Sequence, residues 1–194
     1  MSLPSEVGPS AVEAASLIRS STDLQPRVAL ILGSGLGTVL EGHFKEDASI
    51  RYPDIPGFGS TSVVGHEGRL SLGRVGGKDT AIFHGRFHLY EGRGIRAAAL
   101  IPSLCSELGV STLIVTGAVG ALVPELPAGM IVVIRDHLNM MGDTPLRGWR
   151  SPEGTPAFVN MAEAYDRGLR HFFQSGGTVV QLGGNLNIGI VEHL

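Results

Sequence analysis

The sequence predicts one α/β domain, and three observations carry that prediction. Short, nearly continuous apolar runs such as "RVALILGSG" and "VSTLIVTGAVGAL" end in glycine or other small residues, as strands buried on both faces do. Stretches with helical periodicity alternate with them. Glycine is abundant, at 28 of 194 residues, which suits a fold with many tight strand-to-helix turns or close backbone approaches to a ligand.

In chain order, "SAVEAASLIRSS" reads as a first helix. Ser10 and Glu13 have capping-box spacing, and Val12, Ala15, Leu17 and Ile18 form its apolar face. "RVALILGSG" is the first buried strand. "YPDIPGFGS" is a loop rich in proline and glycine. "GRLSLGRVGGKDTAIFHGR" reads as two strands joined by a turn at Gly76-Gly77. "RGIRAAALIPSLCSELG" is a helix that stops at Gly109 and must kink at Pro102 or hold it at a tolerated bend. "VSTLIVTGAVGAL" and "AGMIVVIRDHLNMMG" are further strands. "MAEAYDRGLRHFF" is a last helix, with Met161, Ala164, Tyr165, Leu169 and Phe172 or Phe173 on or near one stripe. No repeat and no linker divides the chain.

Composition excludes several classes. A hydrophobic content of 43% with 17% charged residues is that of a globular chain. The formal charge of -3 argues against a nucleic-acid or anionic-membrane partner. No apolar run reaches the length of a membrane span, and the first residues lack the basic and apolar regions of a secretory leader. Cys105 is the single cysteine and cannot form an internal disulfide, so a buried structural thiol and a cytoplasmic location are expected.

Two strand ends concentrate polar chemistry. "ALILGSGLG" places Gly33, Gly35 and Gly37 in a GxGxG pattern, without the third glycine of a dinucleotide fingerprint, and Asp54 falls in a proline-rich loop rather than at a strand end. What remains is a turn whose backbone N–H groups and Ser34 hydroxyl suit an anion, or simply a tight turn. "HGRFHLYEG" offers Arg86 as a planar fork for phosphate or carboxylate, with His84 and His88 on either side and Glu91 to hold an imidazole. The plain alternative is a surface arginine paired with glutamate. His66 in "VVGHEGRL" stands alone in a loop. Gly117, Ala118, Gly120 and Ala121 allow close approach of a ligand or close packing. Asp136, His137 and Asn139 follow another strand and fit a solvated loop or subunit contact equally well. No metal-ligand spacing and no GxSxG elbow occurs.

Taken together, "ILGSGLG", "YPDIPGF", "VVGHEGRL", "HGRFHLYEG", "LGVSTLIVTGAVGAL", "IRDHLNMMGDTPLRG" and "MAEAYDRGLR" resemble the trimeric purine nucleoside phosphorylase family, which includes methylthioadenosine phosphorylases. The resemblance runs from about residue 29 to about residue 170. It implies a mixed central sheet flanked by helices. It implies phosphorolysis of purine ribonucleosides or deoxyribonucleosides to the free base and (deoxy)ribose 1-phosphate. By resemblance, Ser34, His66, Arg86, His88 and the backbone at Ala118 bind phosphate. His88 is catalytic and Glu91 orients it. Tyr90 faces the ribose, and Phe158 reaches the ribose pocket of a neighbouring subunit of a homotrimer. Inorganic phosphate is a co-substrate, and no metal or organic cofactor is implied.

Two departures shape the expectations. The family's "TNAAGG" stands here as "TGAVGA", Thr116 to Ala121, which leaves the base preference open. Residues 171–194 show no recognised counterpart, so 1–194 is expected to be a single incomplete phosphorylase-like domain whose missing sheet neighbours leave apolar edges exposed. Asn185, Asn187 and Glu192 lack the family context and receive no role. Three readings stay open: an incomplete purine nucleoside phosphorylase with little or no turnover of its own, a non-catalytic anion-binding or interaction remnant, and a methylthioadenosine phosphorylase.

Overall fold

The computed structural model describes residues 8–33, 35–60, 67–148, 150, 154–156, 158–175 and 186–192. The elements run in the order α1 (Gly8–Ser21), β1 (Val28–Leu32), β2 (Phe44–Arg51), β3 (Arg69–Val75), β4 (Lys78–His84), α2 (Leu100–Leu108), β5 (Thr112–Gly117), β6 (Ile131–Val133), α3 (Arg167–Ser175) and β7 (Leu186–Glu192). The strands form one mixed sheet in the order β2-β3-β4-β1-β5-β7-β6. At its centre β1 runs parallel to β4 and β5, with Leu32 level with His84 and Val115 level with Ile31. These three strands therefore end together at one edge of the sheet.

The larger core lies on one face. Ala29 and Ile31 of β1, Leu70 and Leu72 of β3, Ala81 and Phe83 of β4 and Leu113 of β5 are buried beneath α1 and α2. Helix α1 contributes Ala14, Ala15 and Ile18 to this core, and α2 contributes Ile101, Leu104 and Cys105. Burial drives the Cys105 thiol far above its usual range, so it is an inert core group rather than a nucleophile. The opposite face carries a smaller cluster of Leu32, Leu36 and Ile82, covered by the turns that follow β1.

Several local expectations are corrected. Ser10 lies inside α1 and does not cap it. The buried stripe is Ala11, Ala14, Ala15 and Ile18, while Val12 and Leu17 face outward. Small alanines are what let this helix sit close to α2 and the sheet. The segment 44–51, which has no place among the sequence-predicted strands, forms β2. Its Lys45, Glu46 and Asp47 are solvated at the sheet edge, where charge blocks further strand pairing.

The β3–β4 hairpin turns at Gly76 and Gly77, whose φ values of 55° and 79° are those a tight primed turn demands. Pro102 sits in the first turn of α2, where no backbone N–H is needed, and residues 95–99 before it wind as a 3-10 helix. Gly109 closes α2 in the left-handed region.

The last predicted helix begins only at Arg167. Asn160 Oδ1 takes the Ala162 N–H in a turn, and Asp166 Oδ1 takes the Leu169 N–H and so caps the helix at Arg167. The stripe loses its first half, and Phe172 points to solvent. The expected open edge beside β5 is occupied: β7 pairs antiparallel with β5 along its whole length and parallel with β6.

Leu104→Ala should cost about 2–5 kcal/mol, because the side chain is fully enclosed in the main core. Leu122→Ala, at a residue 99% exposed, should stay within about 0.5 kcal/mol of the parent. Urea denaturation midpoints of the two variants check both.

Candidate active site at the carboxyl edge of β1, β4 and β5

The loops leaving β1, β4 and β5 converge because the three strands are parallel and in register. In open α/β sheets this carboxyl edge is where ligands bind. Thr116, near the end of β5, ties the loops together. Its Oγ1 donates to the Ile31 carbonyl at 2.8 Å and accepts the Gly33 N–H at 3.0 Å. Its carbonyl accepts from Arg86 Nη1 at 2.8 Å. The glycine turn after β1 and the arginine after β4 are thus fastened to one residue of β5. A Cβ on Gly33 would stand 2.7 Å from the Thr116 carbonyl oxygen and 2.9 Å from Gly117 Cα, so the first glycine of "GSGLG" is required by close backbone approach. A Cβ on Gly117 would meet Arg86 Nη2 at 3.0 Å.

Arg86 is half-buried, and burial pulls its guanidinium below the usual arginine range, although the group stays charged. Among the described residues no carboxylate pairs with it. The plain alternative of a surface arginine neutralised by glutamate finds no such glutamate among the described residues. A desolvated cation that no described carboxylate neutralises suits an anion.

After Arg86 the chain turns one residue, Phe87, into the core and then runs out to the surface at Leu89 and Tyr90. Phe87 is buried against Tyr52 and Phe58 in a mutually tilted aromatic trio, with centroids 5.3 to 5.8 Å apart. The Tyr52 hydroxyl donates to the Gly85 carbonyl at 2.7 Å, which fixes the peptide just before Arg86. The Arg93 guanidinium carbon lies 4.9 Å from the Phe87 ring centroid, while Nη1 and Nη2 donate to the Phe58 and Ser60 carbonyls. The proline-rich loop is in this way clamped beneath the site. His88 stacks on Tyr90 with centroids 4.8 Å apart and an interplanar angle of 17°. Glu91 Oε1 accepts the His88 backbone N–H at 2.6 Å, so the carboxylate fixes His88 through the main chain. Tyr90 is largely exposed beside it, where a ligand can cover it.

Ser34 and His66 lie outside the described residues. Their neighbours in the chain are close, since Glu67 Oε1 lies 3.7 Å from where a Cβ on Gly37 would stand. Ala118 follows β5 directly and is exposed at the same edge. Phe158 is 96% exposed and thus not a core aromatic. Asp136, His137 and Asn139 form a separate local cluster: Tyr165 Oη meets His137 Nδ1 at 3.1 Å, and Asn139 Nδ2 donates to the Asp143 carbonyl. Among the described residues no group of three or more metal-ligating side chains converges, and no helix is long and apolar enough to cross a membrane.

The sequence pattern of the phosphorylase superfamily matches residues 27–191. The chain belongs to the phosphorylase superfamily. The match extends beyond the stretch 29–170 on which the resemblance was read and takes in β7. Similar proteins include purine nucleoside phosphorylase from Mus musculus, 41% identical over 152 residues covering 77% of this chain and 52% of the relative. Purine nucleoside phosphorylase 1 from Bacillus subtilis is 38% identical over 156 residues covering 80% and 57%. The phosphorylase chain described here thus spans about half the length of the curated relatives it matches. Among solved structures, isoform 2 of the Schistosoma mansoni purine nucleoside phosphorylase, in complex with cytosine and ribose-1-phosphate, is 30% identical with a TM-score of 0.73. The alignment covers 92% of this chain and 74% of that one.

Thr116, Tyr52 and Arg93 hold this phosphorylase edge together and are absent from the sequence-predicted site. Thr116 carried a readable signal, a hydroxyl at the end of an otherwise apolar strand. Tyr52 and Arg93 carried none, because their partners are backbone carbonyls distant in sequence. Two substitutions probe the fastening. Gly33→Ala should destabilise by about 1–3 kcal/mol through the backbone clash. Thr116→Val should cost a similar amount, about 1–3 kcal/mol, by leaving the buried Gly33 N–H unpaired. Guanidinium chloride titrations of both variants measure these losses.

Proposed function

We propose that the site binds inorganic phosphate beside the ribose of a purine nucleoside, and that it is the phosphate and sugar side of a site for phosphorolysis of the glycosidic bond, with little turnover by these 194 residues alone. The observation that carries this reading is the half-buried Arg86 guanidinium without a carboxylate partner among the described residues, held against Thr116 beside the glycine turn. The complex of the Schistosoma mansoni relative with ribose-1-phosphate supports it, since that molecule is the sugar product of the reaction.

In this reading Arg86, Ser34, His66, His88 and the Ala118 N–H hold phosphate, and Tyr90 lies along the sugar. A phosphate oxygen forms a bond to C1′ while the C1′–N bond breaks, and the bonding pair leaves with the purine, which takes up a proton. The sugar passes through an oxocarbenium-like state. The protein's contribution is to fix the nucleophile and to place charge near the developing cation. Exposed Phe158 would complete the pocket of a neighbouring copy, which makes a homotrimer the proposed assembly. The competing reading, an anion-binding protein without turnover, shares the phosphate site and lacks the base contacts.

Calorimetry with inorganic phosphate tests the site. The 194-residue chain should bind phosphate weakly, and Arg86→Ala should abolish binding. Unchanged binding by the variant would rule Arg86 out as the anion group. In an assay with inosine and phosphate the same chain should release little or no hypoxanthine. No described residue is assigned to hold the purine, and each missing transition-state donor lowers the rate by about 10²–10³. Robust phosphate-dependent release would defeat the non-catalytic reading. Light scattering checks the assembly: a trimer is expected, and a clean monomer would count against the role given to Phe158.

A further inference from the structure

A second polar cluster adjoins the anion site and takes no part in the proposed phosphorolysis. His84 ends β4 and is 8% exposed. Its Nε2 lies 2.9 Å from the Oγ of fully buried Ser71 on β3. Arg69, level with His84 on β3, donates from Nη1 to the same Ser71 oxygen and to Glu46 Oε2 of β2 at 2.7 Å. Arg69 Nε donates to Glu67 Oε2 at 2.6 Å. Among the described residues the buried His84 Nδ1 has no hydrogen-bond partner.

This arrangement favours a neutral imidazole. A charged ring carries N–H on both nitrogens, whichever one holds the proton in the neutral form. The Nδ1–H would then be buried without an acceptor, next to the Arg69 cation. Burial and Arg69 hold the His84 pKa below its ordinary 6.5, with Glu67 and Glu46 opposing them. Because the folded protein resists this proton and the unfolded chain does not, stability falls as pH drops below about 6.5.

The position of His84 gives that proton a consequence. Its carbonyl accepts the Gly68 N–H at 3.0 Å, and the Gly68 carbonyl accepts the Tyr52 N–H at 2.7 Å. The residue after His84 is Gly85, whose N–H bonds the Leu32 carbonyl and whose carbonyl holds the Tyr52 hydroxyl. Arg86 follows at once. His84, whose ring meets Ser71, is therefore the residue at the root of the arm that carries the anion-binding guanidinium.

We propose that His84 is a positioning residue of the anion site: its neutral, Ser71-bound ring holds the Gly85–Arg86 arm in place, and protonating the ring releases that arm. This inference rests on the reading of Arg86 as the anion-binding group. Sulfate is the suitable probe, because its charge does not change between weakly acidic and neutral pH. Calorimetry from pH 5 to 8 compares the parent chain with His84→Gln, which keeps a side-chain amide for Ser71 and does not titrate.

The parent should lose about tenfold in sulfate affinity from neutral to acid pH, a coupling of ordinary size between two sites. His84→Gln should bind at neutral pH nearly as well as the parent and should lack the loss on acidification, while His66 and His88 are retained in both forms and contribute to both profiles alike. A parent-like pH dependence in the variant overturns the proposal. If neither form binds sulfate at any pH, the anion reading itself fails, and amide hydrogen exchange at Gly85 and Arg86 decides. Exchange corrected for its intrinsic pH dependence should accelerate below pH 6.5 in the parent alone. Identical behaviour in the two forms overturns the proposal.

Discussion

The Thr116 side chain and carbonyl are the constraint on which the carboxyl edge of the sheet depends. Strand ladders stop at the strand ends, and backbone groups beyond them must find other partners or meet water. Thr116 supplies those partners for both neighbouring chain segments. Its hydroxyl bridges the Ile31 carbonyl and the Gly33 N–H, which carries the β1–β5 connection past the last ladder bond. Its carbonyl then receives Arg86. One residue thereby sets the spacing between a glycine turn and a cation that belong to different loops.

What lies beneath keeps that spacing. Tyr52, Phe58 and Phe87 form an apolar floor, and the polar tip of Tyr52 rises from it to the Gly85 carbonyl. The floor is itself closed by Arg93, which spans from the Phe87 ring to the carbonyls of the proline-rich loop. Aromatic packing accounts for the rigidity, and directional bonds account for the aim. A guanidinium fixed in this way needs little reorganisation to meet a phosphate, which is what electrostatic preorganisation requires.

The sequence showed some of these features and concealed others for identifiable reasons. β1 and β4 were legible because central parallel strands are apolar on both faces, and the hairpin because Gly76-Gly77 admits few other conformations. β2 was not, since an edge strand with Lys45, Glu46 and Asp47 has the composition of a loop. The buried face of α1 was misread because Val12 and Leu17 are more conspicuous than Ala11 and Ala14, although the alanines are the residues that pack. The strand expected after Gly129 shrank to three residues. Beyond it, Asp136 and Asn139 side chains take the N–H groups of His137 and Met141 and withdraw them from a ladder. At the site, Arg86 and the glycine turn were visible as motifs. Their common dependence on Thr116 was not, because it is a relation between residues more than eighty positions apart in the case of Gly33.

The place of β7 in the sheet has a consequence for the order in which the chain folds. Among the described residues β6 has a ladder partner only in β7, which follows it in sequence. An earlier strand must therefore wait for a later one before it can join the sheet. The β3–β4 hairpin can form from residues already adjacent, whereas docking β6 requires closing a long loop, with its entropy cost, against a strand that is made later. During synthesis the chain from Ala118 onward would remain without a ladder after the β2-β3-β4-β1-β5 portion has all its strands. Its apolar strand residues Ile131, Val132 and Val133 would be open to chaperones or to other chains throughout that interval.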